Sequence, residues 1–405
     1  MAAAGGQMRG MSLRSRAFLV ATGLVAAAWS LSSLAAPAAA PDPGWDTAAA
    51  ARYLDARMDL WWTKAKTLRT GSGEAKCLSC HTAIPYALAR PLLRVATGDA
   101  APTAHETRIL DTVRQRVANL ADEAPFYDHT EAKKVESAGV EAVLNAFVLT
   151  RHDSLGRAAQ PSEPTRAAMA RLWATQRADG AWAWLDFGLE PYETTDAAYH
   201  GATLAAMAAG STPGKNASRD AAGTAGLAKL RAYLHDQLPA QRRFNKAWAL
   251  MAAAYLPDLL SATERQAIVG ELTGAQRADG GWSLVDLGAW RWSKADAPAA
   301  PGITDAALLA ASDGYATGLV VHALRTSGQP LTAPAVASGL AWLRQHQQPE
   351  RAGDASWAPW RAHSLNFDRE HGGDKGEPWR RMFMSDMATA FAVLALNGAP
   401  APASR

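Results

Sequence analysis

The chain holds two cysteines in 405 residues, and they stand three positions apart with a histidine beside the second: Cys77-Leu78-Ser79-Cys80-His81. A C-x-x-C-H run is the attachment signature of a c-type haem. Each thiol adds to one vinyl group, and the adjacent imidazole lies beneath the iron. With 10 histidines in the chain, chance placement of the run is on the order of one in ten thousand. A plain C-x-x-C dithiol would want a βαβ setting, which the pattern lacks. Half a zinc site would need two further ligands nearby, and cysteine is exhausted. The sequence therefore predicts one covalent haem c, anchored by Cys77 and Cys80, with His81 as the proximal iron ligand.

A methionine in the sixth position would make an electron-transfer haem; an open position would permit peroxide or oxygen chemistry. Met384, with Met382 and Met387 beside it, is the distal candidate, although methionine fills irregular core gaps equally well. Asp196 and His200 stand at i, i+4 on one helical face. That spacing suits an acid–base or ligand pair, or simply a buried histidine bonded to a carboxylate. Asp313 and Asp386 precede apolar runs, as N-capping residues do.

Residues 1–40 carry Arg9, Arg14 and Arg16, an apolar run over 17–28, and small residues ending at Ala40. This is the layout of a secretory signal peptide, with a retained anchor as the alternative. Export to the periplasm or beyond suits thioether attachment. The apolar run is short for a membrane span, and no later stretch reaches 18 apolar residues, so no stable span is expected after cleavage. The formal net charge is +3. The leader accounts for three arginines and no acid, which leaves the rest near neutral and argues against nucleic acid as a partner.

What positions the motif is a repeat. Leu172–Gln176–Gly180–Trp182 recurs as Leu272–Gln276–Gly280–Trp282, and a degenerate third copy runs from Leu343 through Gln347 to Trp357. Helical patterns pair off around these copies. Segments 47–66, 106–122, 164–177, 225–237, 261–276 and 334–347 alternate apolar and charged positions, as a helix with one solvent face does. Segments 84–96, 137–151, 195–209, 245–256, 313–326 and 385–396 are apolar nearly all round, as buried helices are. Pro164 and Pro334 open their segments. Gly98, Gly210, Gly328 and Gly398 follow inner segments as C-terminal caps. Six hairpins with an inner and an outer ring make an all-α (α/α)6 toroid over residues 41–405. Connections from outer to inner helices are long in five of six pairs and emerge at one mouth, the haem loop near 65–83 among them. Long loops on one rim of a rigid scaffold are where function usually sits.

The two Q-x-x-x-G-x-W copies resemble the QW repeats of the squalene–hopene cyclase and prenyltransferase superfamily. That resemblance implies the α/α toroid, with Gln176, Gln276, Trp182 and Trp282 in structural roles at helix ends. It does not carry over an activity: there is room for one toroid only, the D-x-D-D catalytic motif is missing, with Asp186 and Asp196 standing apart, and no prenyltransferase zinc ligands can be placed. Three functional classes remain. One is a haem oxidoreductase acting on a hydrophobic organic substrate. The second is a non-catalytic cytochrome that relays electrons to a redox partner protein. The third and weakest is a cyclase-like isomerase.

Overall fold

Twelve α-helices are present among the described residues, and they fall on the twelve predicted segments. The computed structural model describes residues 44–70, 73–99, 101–119, 124–215, 221–290, 310–366 and 378–398. The expected leader over 1–40 lies outside them. The outer helices are α1 (Thr47–Lys64), α3 (Ala104–Ala118), α5 (Glu163–Ala174), α7 (Ala221–Gln237), α9 (Ala262–Gly274) and α11 (Pro334–Gln345). The inner helices are α2 (Ala83–Ala96), α4 (Glu131–Leu155), α6 (Ala197–Ser211), α8 (Arg243–Tyr255), α10 (Gly314–Thr326) and α12 (Phe383–Asn397).

The inner helices close a ring: α2 packs on α4, α4 on α6, α6 on α8, α8 on α10, α10 on α12, and α12 returns to α2. Each outer helix lies against this ring, α5 on α4, α7 on α6, α9 on α8 and α11 on α10. The fold is an (α/α)6 toroid. Composition decides the layers. In α6 every residue from Ala197 to Ala209 except Ala198 is buried, so small apolar side chains on all faces place it inside. In α7 only Gly223, Gly226, Leu230 and Leu234 are buried, a single stripe against the ring.

The QW copies join outer helices in succession. Gln176 Nε2 donates to Gly180 O and to Gly226 O in α7, at 2.9 and 3.0 Å. Gln276 Nε2 does the same to Gly280 O and to Ala335 O in α11. Gln347 exchanges hydrogen bonds with the backbone of Asp46, the N-cap of α1, and so closes the outer ring. Trp182 and Trp282 each donate Nε1 to a carbonyl near the end of their own outer helix, Leu172 O and Leu272 O. Gly180 and Gly280 adopt φ of +96° and +89°, a conformation that glycine accepts without strain. In the third copy the equivalent indole is Trp360, which donates to Leu343 O, and not Trp357 as the spacing suggested. The longer loop moves the tryptophan three residues along the chain.

Two capping expectations change as well. Gly98, Gly328 and Gly398 have positive φ after their helices, but Gly210 lies inside α6. A Cβ there would meet Tyr255 O at 2.2 Å, so Gly210 serves the close approach to the end of α8. Asp313 caps α10 by accepting from Tyr315 N and Ala316 N, whereas Asp386 sits within the first turn of α12, behind its N-cap Met382. One feature was absent from the sequence reading: a short antiparallel hairpin of β1 (Thr67–Thr70) and β2 (Gly73–Lys76) precedes the cysteine motif. No helix among the described residues is long and apolar enough to cross a membrane.

Candidate functional site

The C-x-x-C-H segment runs from β2 into α2 and is pinned at both ends. Cys77 N donates to Lys66 O, and Cys77 O accepts from Trp61 Nε1 at 3.0 Å. Ser79 Oγ accepts from Thr82 N and Ala83 N, both at 3.0 Å, and so caps the start of α2. These bonds turn Cys77, Cys80 and His81 toward one cavity. It encloses about 690 Å³ of space between atoms, any opening to solvent included. Three long loops or their flanks supply its walls: the cysteine segment, Phe126 and Tyr127 before α4, and Trp184 to Glu193 before α6.

His81 is buried and fixed on several sides. Its ring stacks on Phe383 at 3.6 Å between centroids and meets Trp61 edge-on at 5.3 Å. His81 Nδ1 lies 3.1 Å from Thr82 Oγ1, and the Thr82 hydroxyl donates its one proton to Asp386 Oδ2 at 2.8 Å. The ring nitrogen must therefore be the donor to Thr82, which assigns the proton to Nδ1 and the lone pair to Nε2. A metal-ligating histidine needs this tautomer, held by an outer partner of this kind. Asp386 is itself held by Tyr53 OH at 2.8 Å and by Arg57 Nε at 2.6 Å. Burial pushes the Asp386 carboxyl up from its ordinary range, against the pull of the Arg57 guanidinium. The ring-closing contact between α12 and α2 thus runs directly behind His81.

Both thiols are free and half-buried. Burial pushes Cys77 up to about 12, with the Glu141 and Glu193 carboxylates adding to the shift; burial also raises Cys80. In the folded chain both sulfurs are protonated at neutral pH and therefore poor nucleophiles. On the opposite wall, Arg116 and Glu141 form a buried ion pair, with Arg116 Nη2 at 2.9 Å from Glu141 Oε2. Asn145 Nδ2, from α4, lines the same cavity and is buried without a hydrogen-bond partner. Lys76 Nζ is held by Thr67 Oγ1 at 2.8 Å and by Glu74 at 2.7 Å. The chemistry of this donor set suits a c-type haem: two sulfurs, an imidazole with its lone pair on Nε2, and an unsatisfied amide on one lined space.

The other candidates separate. Met384 is buried and lines a small neighbouring cavity with His81, Phe383, Tyr192 and Ser364; it does not line the larger one. His200 is buried in an aromatic cage with Trp248 at 4.4 Å and Tyr192 at 5.2 Å, and its Nδ1 has no partner. Burial, helped by Arg242, pushes His200 down to about 3, so it is neutral at physiological pH. The structure does not join it to Asp196, which occupies the N-cap of α6 without a side-chain cap. The Asp196 backbone is already helical, but its carboxylate sits half-buried at the helix start while the His200 ring is enclosed by aromatic side chains. Arg116, Asn145 and Thr82 escaped the sequence reading. Of these only Thr82, following the motif's histidine, carried a local signal.

No family model matches the chain, and no curated protein matches it. Among solved structures, an unsaturated glucuronyl hydrolase variant described with the saccharide dGlcA-Glc-Rha-Glc aligns over 86% of this chain and 95% of its own, at 13% identity and a TM-score of 0.46.

Proposed function

We propose that this chain is an exported monohaem c-type cytochrome that works as a haem-dependent oxidoreductase on a hydrophobic organic substrate at the mouth of its toroid. One observation carries the choice of an enzyme. Apart from His81, the described residues lining the cysteine cavity include no histidine and no methionine, and its one lysine amine is engaged by Thr67 and Glu74. Haem bound there would supply one-electron and oxygen chemistry with a coordination position open to exogenous ligands.

The chain's own residues do the rest. Cys77 and Cys80 would hold the group through thioethers, and His81 Nε2 would be its proximal ligand. Thr82 and Asp386 keep the proton on Nδ1. The Asn145 amide offers a hydrogen-bond donor to whatever enters the cavity, and Phe126, Leu144, Trp184 and Tyr192 exclude water and present apolar surface to a substrate. The high thiol pKa values favour attachment before the ring closes over the loop, while the sulfurs are still exposed.

A second reading, an electron relay to a redox partner protein, is favoured by Met384, whose side chain shares a small cavity with His81. Spectra separate the two. Expressed with a cytochrome c maturation system, the enzyme should give a high-spin or ligand-exchangeable iron that takes up CO or cyanide readily. The relay should be low-spin and resist both, and Met384→Ala should then open it. The pyridine haemochrome of the Cys77→Ala, Cys80→Ala double variant should be silent. A colourless wild-type protein, or a Cys77–Cys80 disulfide in the exported chain, would refute both readings.

A further inference from the structure

A second cavity lies on the ring axis, and its polar lining is short of partners. All six inner helices contribute to it: Leu88 from α2, Arg151 from α4, Met207 from α6, Trp248 from α8, His322 from α10 and Phe391 from α12. It encloses about 350 Å³, any opening included, and is narrow. That is room for a water or a guest of similar girth.

Arg151 is 8% exposed and His322 7%. The Arg151 guanidinium reaches Leu88 O at 3.3 Å and the Tyr255 hydroxyl at 3.5 Å, both long, and its Nε has no partner. No carboxylate pairs with it among the described residues. His322 Nδ1 is likewise without a partner. Trp248 Nε1 also lacks a well-formed hydrogen bond, with the Tyr315 hydroxyl as its polar neighbour. Arginine keeps its charge in any protein environment, so Arg151 cannot escape burial by shedding a proton. A buried charge without a counter-charge is strongly unfavourable. Arg325 adds a second positive charge nearby, and no aspartate or glutamate lines the space.

We propose that this axial cavity holds a small monovalent anion, a halide or a short carboxylate such as formate, paired with Arg151 and hydrogen-bonded by His322. The guanidinium supplies charge and the Nε–H; the His322 ring, which also has the Leu394 carbonyl within reach, donates from Nδ1 when its proton sits there and not toward Leu394. The anion would tie together the ring at the level where six helices meet, and the site is independent of the cysteine cavity and of its cofactor.

Crystals of the full-length mature protein soaked in bromide test this directly. The expected result is an anomalous peak within hydrogen-bond distance of Arg151, together with a melting temperature that rises saturably with bromide or formate in solution. Both effects should vanish in Arg151→Gln. Elongated density for a carboxylate retained through purification would support the same site. Water alone in the cavity under bromide would overturn the proposal. So would a peak without any saturable thermal shift, which marks binding at crystal concentration only, or a peak that persists unchanged in Arg151→Gln. If that variant does not fold, the wild-type map and titration still decide.

Discussion

Replacing Asp386 with alanine should be among the most damaging single changes in this protein. Asp386 is 1% exposed and accepts four hydrogen bonds: from Tyr53 OH at 2.8 Å, Arg57 Nε at 2.6 Å, Arg57 Nη2 at 3.1 Å and Thr82 Oγ1 at 2.8 Å. Without it, Arg57 keeps one bond, to Trp379 O at 2.9 Å, and its buried charge stands uncompensated. Breaking a buried pair in this way costs about 3–5 kcal/mol, a large share of the roughly 5–15 kcal/mol by which a folded domain is stable. Arg57→Met alone should cost a similar amount. The double variant should lose much less than the two losses added together, because neither residue is then left as an isolated charge. Urea unfolding at pH 7, followed by circular dichroism and by tryptophan fluorescence with coincident transitions, measures all three. A loss below about 1 kcal/mol for Asp386→Ala, or strict additivity in the double variant, would show that this network does not hold α12 to α2.

Other expectations follow from the same contacts. Burial lowers both His200 and His322 to about 3, while in the unfolded chain histidine titrates near 6.5. The unfolded state therefore binds more protons below that pH, and stability should fall on acidification from pH 6.5 toward 3, by about 1.4 kcal/mol per pH unit for each histidine. Replacing His200 with Gln should remove its share of the slope, read as the difference between wild-type and variant denaturation midpoints, in which other groups cancel. Gly201→Ala places a Cβ 2.2 Å from the Trp184 ring and should push that indole into the cysteine cavity. Haem content per chain should drop, and stability should fall by about 1–3 kcal/mol; full haem loading would count against the assigned cavity. Gln276→Ala removes two hydrogen bonds, one within its own loop and one linking the end of α9 to α11, and should cost about 1–3 kcal/mol in chemical denaturation, with no change in the haem spectrum. In the loaded protein, Thr82→Val removes the partner of His81 Nδ1 and makes the imidazole a weaker donor. Its midpoint potential should rise in a redox titration, and an unchanged value would argue against His81 as the ligand.

The sequence by itself determined the architecture. Twelve stretches of helical periodicity, six of them apolar on every face, can bury that surface only by forming an inner layer with the other six outside it. Glutamine and tryptophan at a fixed spacing marked where outer helices end, because those side chains satisfy carbonyls within a few residues or at the start of the next helix. The cysteine motif was legible for the same reason: two thiols and an imidazole on one short segment need no distant partner to be recognised. Chain closure decided the rest. Asp386 looked like a helix cap, and its pairing with Arg57 and Thr82 arises only when the last inner helix meets the first, more than 300 residues back along the chain. Asp196 and His200 had the right spacing, but the aromatic cage that makes His200 neutral draws on side chains outside their own helix. Trp357 and Trp360 could not be ranked without knowing which indole the loop returns to Leu343. Arg151 and His322 line one cavity although nothing local relates them. Local patterns fix elements because short-range hydrogen bonding and periodic burial do; partners, charge states and cavities depend on which surfaces the closed ring brings together.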